Sequence, residues 1–113
     1  MRFHHLGVPT TEPRPGEEHL PHLGVHVVPY TSNPFGIEWM RFDAGCDVPE
    51  LVRTVPHLAF VVPSLEAALA GREVLIAPNS PTTGVRVAFV VCDGAPVELM
   101  EIEASVAHLY PCP

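Results

Sequence analysis

Basic residues are scarce in this chain. Six lysines and arginines stand against thirteen aspartates and glutamates, which gives a formal net charge of -7. The few basic residues form no cluster, so the electrostatic surface that nucleic acid requires is lacking. An anionic membrane surface is disfavoured for the same reason. We therefore expect the partners to be small molecules or a second copy of the chain.

Paired cysteines and long apolar stretches are lacking too. The three cysteines, Cys46, Cys92 and Cys112, form no Cys-x-x-Cys pair, which excludes a zinc ribbon or thioredoxin-type site and favours reduced thiols. The first residues do not contain the apolar stretch of a signal peptide. The longest apolar runs, such as Val87 to Cys92, are too short to span a bilayer. These features predict a soluble, cytoplasmic protein.

The length of 113 residues and the 47% hydrophobic content indicate one globular domain. Prolines at positions 13, 15 and 21 exclude a long helix from residues 10–24, because an interior proline costs a helix about 3 kcal/mol. Strands are predicted over residues 3–8, 25–30, 37–42, 57–62, 73–77, 85–91 and 96–102.

The second half of the chain has the clearer pattern. Ser64 is a good N-cap for a short helix that Gly71 closes, and Asp93-Gly94 predicts a hairpin. The order is β-α-β-β-β, with a polar loop expected over residues 78–84. The first half follows the same plan with a proline-rich loop in place of the helix, and residues 49–52 suit a single helical turn. Residues 104–113 are expected to form a loosely held tail.

A histidine-glutamate pattern occurs twice. The segments His5-Leu6-Gly7-Val8 and Gly36-Ile37-Glu38-Trp39-Met40 are echoed by His57-Leu58-Ala59-Phe60 and Val97-Glu98-Leu99-Met100. Successive strand residues face opposite ways, so Glu38 and Glu98 each fall on a mainly apolar face. By the same alternation His5 shares a face with Phe3 and Gly7, and His4 points to the other one. A carboxylate on an apolar face is costly unless it is paired, protonated or bound to a cation.

The four side chains would meet if the two half-sheets curl around a common cleft. Two imidazoles and two carboxylates suit a borderline divalent metal. Such a metal polarises a carbonyl and stabilises an enediolate, while Glu38 or Glu98 moves the proton as the catalytic base. Glu98 is favoured as the firmer ligand. The alternatives are a buried hydrogen-bonded pair of His57 and Glu98, a solvated Glu38, and a one-residue register change that exchanges His5 for His4.

These residues resemble the vicinal-oxygen-chelate superfamily, which includes glyoxalase I, methylmalonyl-CoA epimerase, extradiol dioxygenases and bleomycin-resistance proteins. The resemblance covers residues 3–103 and rests on the order His5, Glu38, His57, Glu98, each on its expected strand. It implies an α+β fold of paired βαβββ modules that form a curved sheet around a cleft. Residues 1–113 would be one domain, made of a degenerate module (1–43), a complete module (56–103) and the tail (104–113).

The resemblance also implies a cofactor and an activity. His5, Glu38, His57 and Glu98 would bind Zn²⁺, Ni²⁺, Co²⁺, Mn²⁺ or Fe²⁺ in the pattern of bacterial glyoxalase I. The expected activity is that of an isomerase, epimerase or lyase. Two alternatives are a resistance-type protein that binds a small molecule without turnover, and an extradiol-type dioxygenase using His5, His57 and Glu98. No anion clamp for glutathione or coenzyme A is evident, since Arg41 is expected to face outward. A homodimer would cover the apolar sheet edges.

Several further polar residues have less specific expectations. His19, His22 and His26 are spaced three and four apart, but Pro21 and Gly24 exclude a helix there. Solvated loop histidines are the simplest reading, and a lid over the cleft or an adventitious metal site is the functional alternative. Glu101 and Glu103 are expected to face solvent. The loop containing Asn79, Ser80, Thr82 and Thr83 is expected near the mouth of the cleft.

Overall fold

The computed structural model describes residues 1–113 as eight β-strands and two short α-helices. The strands are β1 (Arg2–Pro9), β2 (Glu18–Leu20), β3 (Val25–Val28), β4 (Ile37–Phe42), β5 (His57–Val61), β6 (Glu73–Thr82), β7 (Val85–Cys92) and β8 (Ala95–Ile102). The helices are α1 (Glu50–Thr54) and α2 (Leu65–Leu69). Single 3₁₀ turns lie at Pro21–Leu23, Tyr30–Ser32 and Ala107–Leu109. Neither α-helix has the length and apolarity needed to cross a membrane.

All strands belong to one curled, mixed sheet that forms a half-barrel, in the order β2-β3-β4-β1-β5-β8-β7-β6. The central strands β1 and β5 are antiparallel to each other, and each has a parallel neighbour on its other side, β4 and β8 respectively. The remaining neighbours pair antiparallel. The α+β class and the curved sheet are confirmed. The strands that were predicted to bear the His-Glu pattern are the four central ones.

The apolar core lies on both faces of the sheet. On the face that α2 covers, Leu65 of the helix packs with Val62, Ala88, Val90 and Leu99. On the concave face, a second cluster consists of Ala59, Val85, Val87 and Met100, with Ile102 and Tyr110 against it. Burial of each valine, leucine or methionine side chain in these clusters contributes about 1.5–3 kcal/mol. This packing fixes β5, β7 and β8 firmly beneath the cleft.

Helix α2 begins as the sequence predicted. The Ser64 hydroxyl accepts a hydrogen bond from the Ala67 amide at 3.2 Å. A second cap comes from β8, where the Glu101 carboxylate accepts a hydrogen bond from the Leu65 amide at 2.8 Å. The expectation that Glu101 faces solvent is therefore wrong: it lies half-buried at the helix N-terminus, where a negative charge is favourable. Glu103 is exposed, as expected.

The β6–β8 region contains one confirmed turn and one wrong boundary. Asp93 and Gly94 both have positive φ, 48° and 83°, as a type I′ hairpin turn requires. Strand β6 continues to Thr82, so most of the predicted loop at residues 78–84 is strand. Its pairing with β7 is interrupted by three register shifts. Such irregularities let an edge strand accommodate Pro78 and Pro81, which lack the amide hydrogen for regular pairing.

The remaining differences concern the first half and the C-terminus. No α-helix lies between β1 and β3, as predicted, although the three-residue strand β2 does. The expectation of a loosely held tail is wrong. Tyr110 packs on the concave core, and the Tyr30 hydroxyl donates a hydrogen bond to the Pro111 carbonyl at 3.0 Å. Tyr110 is therefore part of the cleft lining.

Candidate metal centre in the cleft

A β-bulge in β1 brings two consecutive histidines into the cleft. Phe3 pairs with Phe60 and His5 pairs with Ala59, which leaves His4 as an additional residue in β1. Both histidines are buried, with 1% and 5% exposure, and both line the cleft. The expectation that His4 points to the other face is therefore wrong, because an extra residue interrupts the alternation of side chains. Phe3 packs edge-on against Phe60 instead of sharing a face with His5.

Two small residues on the central strands make room for the imidazoles. Gly7 pairs with His57 across β1 and β5, and a Cβ atom at Gly7 would lie only 2.6 Å from His57 Nε2. Ala59 is fully buried and pairs with His5 on one side and Glu98 on the other. A larger side chain at either position would occupy the space where the imidazoles and the carboxylate meet.

Three of the four predicted ligands converge on one point. His5 Nε2 lies 3.2 Å and His57 Nε2 lies 3.3 Å from the same oxygen, Glu98 Oε1. The donor atoms of these three residues all lie within 4.8 Å of one another. Glu38 stands at the edge of the group, with its Oε1 4.0 Å from His5 Nε2. The arrangement is three ligand groups that can hold a metal, with a second carboxylate beside them.

Unpartnered nitrogens test whether these residues suit a metal. His5 Nε2 and both ring nitrogens of His57 are buried without a hydrogen-bond partner. The two Nε2 atoms lie close to Glu98, but these contacts are not aligned for hydrogen bonding. Buried polar atoms are nearly always satisfied in folded proteins. An unprotonated imidazole nitrogen is an acceptor that a divalent cation satisfies as well as a proton donor does. The donor set therefore fits a divalent ion.

The two carboxylates have opposite electrostatic environments. Burial would raise the pKa of Glu98, but its polar contacts with His5 and His57 and their charges lower that pKa to about 2. Burial opposes protonation of His5, but Glu98 and then Glu38 raise the pKa of this imidazole above its usual value. Glu38 is different, because burial dominates and raises its pKa. Glu98 is thus held ionised, whereas the ionised form of Glu38 is disfavoured relative to an exposed carboxylate.

A short hydrogen-bond chain fixes the orientation of His5. His4 Nδ1 lies 2.7 Å from His5 Nδ1, and His4 Nε2 lies 3.3 Å from the Tyr110 carbonyl oxygen. Only one tautomer assignment satisfies both contacts while leaving His5 Nε2 free to bind a metal. His5 Nδ1–H donates to His4, and His4 Nε2–H donates to Tyr110. Burial and the neighbouring His5 lower the pKa of His4 to about 4, so His4 is neutral at pH 7 and can accept this proton.

The cleft that contains these groups is large and mainly apolar. Its volume is about 1170 Å³, and no arginine lines it. Its walls are formed on one side by Val25, Val27, Met40 and Phe42 and on the other by Val85, Val87, Phe89 and Met100. Asn79 and Thr82 line it as expected, while the Ser80 hydroxyl is bonded to backbone carbonyls. Arg41 faces away and pairs with Glu17, as its alternation predicted.

His19, His22 and His26 separate into two groups. His19 on β2 and His26 on β3 are cross-strand partners, and their rings stack with centroids 3.9 Å apart. His22 lies in the 3₁₀ turn, exposed at the mouth of the cleft. The sequence reading missed Asp43, which contacts both stacked rings. Strand alternation could have identified Asp43, because it follows Arg41 by two residues and so lies on the same outward face.

Comparison with known proteins defines the fold but not the activity. No protein-family model matches the chain, and no curated protein is similar to it in sequence. Among solved structures, the crystal structure of a hypothetical protein from Bacillus halodurans C-125 matches with a TM-score of 0.63 and 17% sequence identity. The match covers 90% of this chain and 94% of that one. The likeness therefore extends over most of the curled-sheet domain.

Proposed function

We propose that this protein is a glyoxalase-like, divalent-metal-dependent enzyme of the vicinal-oxygen-chelate superfamily. It would act as an isomerase, epimerase or lyase beside a carbonyl or hydroxyl oxygen. The observation that carries the proposal is the convergence of His5, His57 and Glu98 around buried imidazole nitrogens that lack partners. Residues 1–43 correspond in this proposal to the degenerate module and residues 56–103 to the complete one, because β5-α2-β6-β7-β8 has the βαβββ order.

The two carboxylates have different proposed roles. His5, His57 and Glu98 hold the metal, and Glu98 suits this role because it stays ionised beside two imidazoles. The bound metal would polarise the substrate oxygen and stabilise an enediolate. Glu38 receives the proton from the adjacent carbon and returns it, since burial raises the pKa of its carboxyl toward the working pH. Glu38 also lies near enough to His5 to act as a fourth ligand before substrate binds.

The lining of the cleft indicates the substrate class. Glu38, Glu98 and Asp47 line the cleft, and none of the six arginines does. A phosphorylated substrate or a coenzyme A ester would therefore lack a cationic partner. The apolar walls instead suit an uncharged hydroxy-carbonyl compound with a hydrocarbon substituent. The volume of about 1170 Å³ is more than a three-carbon compound fills, so a ring-sized or larger substrate is expected.

The test separates metal binding from proton transfer. Metal-free protein is reconstituted with Zn²⁺, Ni²⁺, Co²⁺, Mn²⁺ or Fe²⁺, and ion content is measured together with deuterium exchange into uncharged hydroxy ketones in D₂O. Glu98→Gln should lose the ion from the cleft, whereas Glu38→Gln should keep it and lose exchange. Glu103→Gln, at an exposed position beyond β8, is the matched control. Cleft-bound metal that persists in Glu98→Gln and His57→Asn would overturn the proposal.

A dioxygenase is the second candidate function. The compact group is two histidines and one carboxylate, with Glu38 outside it, which is the ligand set of non-haem Fe²⁺ oxygenases. Oxygen uptake with catechols by the Fe²⁺-loaded protein, unchanged in Glu38→Gln, would favour the dioxygenase over the proton-transfer enzyme.

A binding protein is the non-enzymatic alternative, supported by the size and apolar walls of the cleft. Tight ligand binding without turnover or metal dependence would identify it.

The homodimer remains a prediction about the exposed apolar residues. Phe35, Leu58, Val74 and Leu109 are exposed by 72%, 44%, 45% and 58%. All four His and Glu side chains of the centre belong to one chain. A dimer would cover part of this apolar surface. Sedimentation velocity on the protein and on Phe35→Ser tests whether a dimer forms and whether this residue contributes.

A further inference from the structure

The outward face of the first half-sheet has a second group of metal-binding side chains. His19, His26 and Asp43 place their donor atoms within 4.8 Å of one another. His19 Nε2 lies 2.9 Å from Asp43 Oδ2, and His26 Nδ1 lies 3.1 Å from Asp43 Oδ1. The two imidazoles are stacked nearly parallel, at 10°, and each approaches a different oxygen of one carboxylate. This group lies on the sheet face opposite the cleft, since the intervening Val25, Val27 and Phe42 line the cleft.

One donor atom of this group lacks a partner. His26 Nδ1 is buried, and its approach to Asp43 does not have hydrogen-bond geometry. His19 is accounted for, because its Nε2 is hydrogen-bonded to Asp43. A cation placed between the rings and the carboxylate would satisfy His26 Nδ1 and also coordinate the other two groups. The need for a ligand is therefore concentrated on the side of His26 that faces Asp43.

The local charge also favours a cation. Arg41, the cross-strand partner of His26, donates two hydrogen bonds to Glu17, at 2.7 and 3.0 Å. Arg41 is therefore held by Glu17, and the ionic contacts of the Asp43 carboxylate are with the two imidazoles. Two imidazole nitrogens and one carboxylate oxygen form a donor set for Zn²⁺, Ni²⁺, Co²⁺ or Cu²⁺, with further positions open to water.

We infer that His19, His26 and Asp43 form a second divalent-metal site, distinct from the cleft. The bound ion connects β2, β3 and the residue that follows β4. Strand β2 is only three residues long and lies at the edge of the sheet, so a bridging ion would fasten the least supported strand to its neighbours. The proposed role is structural, because the site faces away from the cleft and needs no substrate.

The test is a calorimetric titration of metal-free protein with zinc chloride. The unaltered protein should show two classes of sites. Removing a residue that hydrogen-bonds to a metal ligand weakens metal binding by about tenfold or more. Asp43→Asn and His19→Gln each remove a ligand itself, so each should weaken zinc binding at one class of sites by at least that factor. His57→Asn should affect only the other class. His22→Gln, a histidine of the same segment outside the group, is the matched control and should retain both.

Both ligand variants, His19→Gln and Asp43→Asn, are expected to keep the fold. His19 has a 45% exposed side chain, and Asp43→Asn retains the backbone hydrogen bond from residue 43 to the Gly24 carbonyl at 2.8 Å. Circular dichroism checks this directly. If both classes of zinc sites keep their affinity in Asp43→Asn and in His19→Gln, the proposed second site is wrong. It is also wrong if the unaltered protein has a single class of sites that only His57→Asn removes. A single class lost only in Asp43→Asn would support the second site and contradict the metal centre of the proposed function.

Discussion

His4 and His5 are consecutive in β1, yet their Nδ1 atoms face each other at 2.7 Å inside the protein. The bulge makes this contact, because the extra residue turns His4 to the same side as His5. His4 then connects His5 to the Tyr110 carbonyl at 3.3 Å. A residue near the C-terminus thus orients a proposed metal ligand through one intervening imidazole, which is the arrangement by which outer partners tune metal ligands.

Replacing His4 should weaken metal binding without removing the site. In His4→Phe the Nδ1–H of His5 loses its acceptor, so the tautomer that leaves Nε2 free is no longer favoured. Metal affinity in the cleft should fall by about 10- to 100-fold, with the number of bound ions unchanged at saturation. Calorimetric titration measures this, with the exposed His108→Gln as control. Wild-type affinity in His4→Phe would show that the hydrogen-bond chain has no role in orienting His5.

A double-mutant cycle tests whether Gly7 is required because a larger residue would clash with the His57 ring. Gly7→Ala places a Cβ against the His57 ring and should destabilise the protein by about 1–3 kcal/mol while displacing the imidazole. In a His57→Ala background the clash is absent, so the same change should cost much less. Urea unfolding of the four proteins gives the coupling. Equal costs in the two backgrounds would mean that Gly7 is required for another reason.

The acid sensitivity of the metal-free protein should depend on Glu98. The pKa of Glu98 is lowered from 4.5 to about 2 in the folded state, so its ionised form stabilises the fold above pH 4.5. That contribution, at most about 3 kcal/mol, is lost as pH falls from 4.5 through 2. The difference in unfolding free energy between wild type and Glu98→Gln should therefore shrink over this interval. A difference that stays constant down to pH 2 would contradict the lowered pKa.

The C-terminal segment should matter for the metal centre. Removal of residues 104–113 takes away the Tyr110 carbonyl that accepts from His4 and the Tyr110 side chain that packs on the concave core. Metal affinity should fall by about tenfold or more, by the same loss of an outer partner as in His4→Phe. Tyr30→Phe, which loses only the hydrogen bond to Pro111, should have a smaller effect. Titration of both variants checks this order, and an unchanged affinity in the truncated protein would refute it.

The central part of the fold could be predicted from the sequence because its signals are local. Strand β4 has the predicted bounds, and the Ser64 cap and the Asp93-Gly94 turn each depend on a few neighbouring residues. The convergence of His5, His57 and Glu98 followed from alternation together with the curled sheet. Their metal-binding role itself stays a prediction.

The other features depend on contacts between distant segments. The bulge at His4 is set by the register of β1 against β5, which no local pattern reports. Glu101 is drawn to the N-terminus of α2 by tertiary packing, and Tyr110 is held by the concave core. Glu38 pairs with Gly7 of β1 and not with His5, and this register between β1 and β4 is a long-range feature that strand alternation does not report.

The most direct test of the central claim is an anomalous diffraction experiment on crystals of the protein equilibrated with Zn²⁺ or Co²⁺. The account predicts an anomalous peak within bonding distance, about 2.0–2.2 Å, of His5 Nε2, His57 Nε2 and a carboxylate oxygen of Glu98. The same experiment on His57→Asn should show no peak there. A well-ordered cleft with no peak among these atoms, and with a protein group hydrogen-bonded to the His57 ring nitrogens, would contradict it.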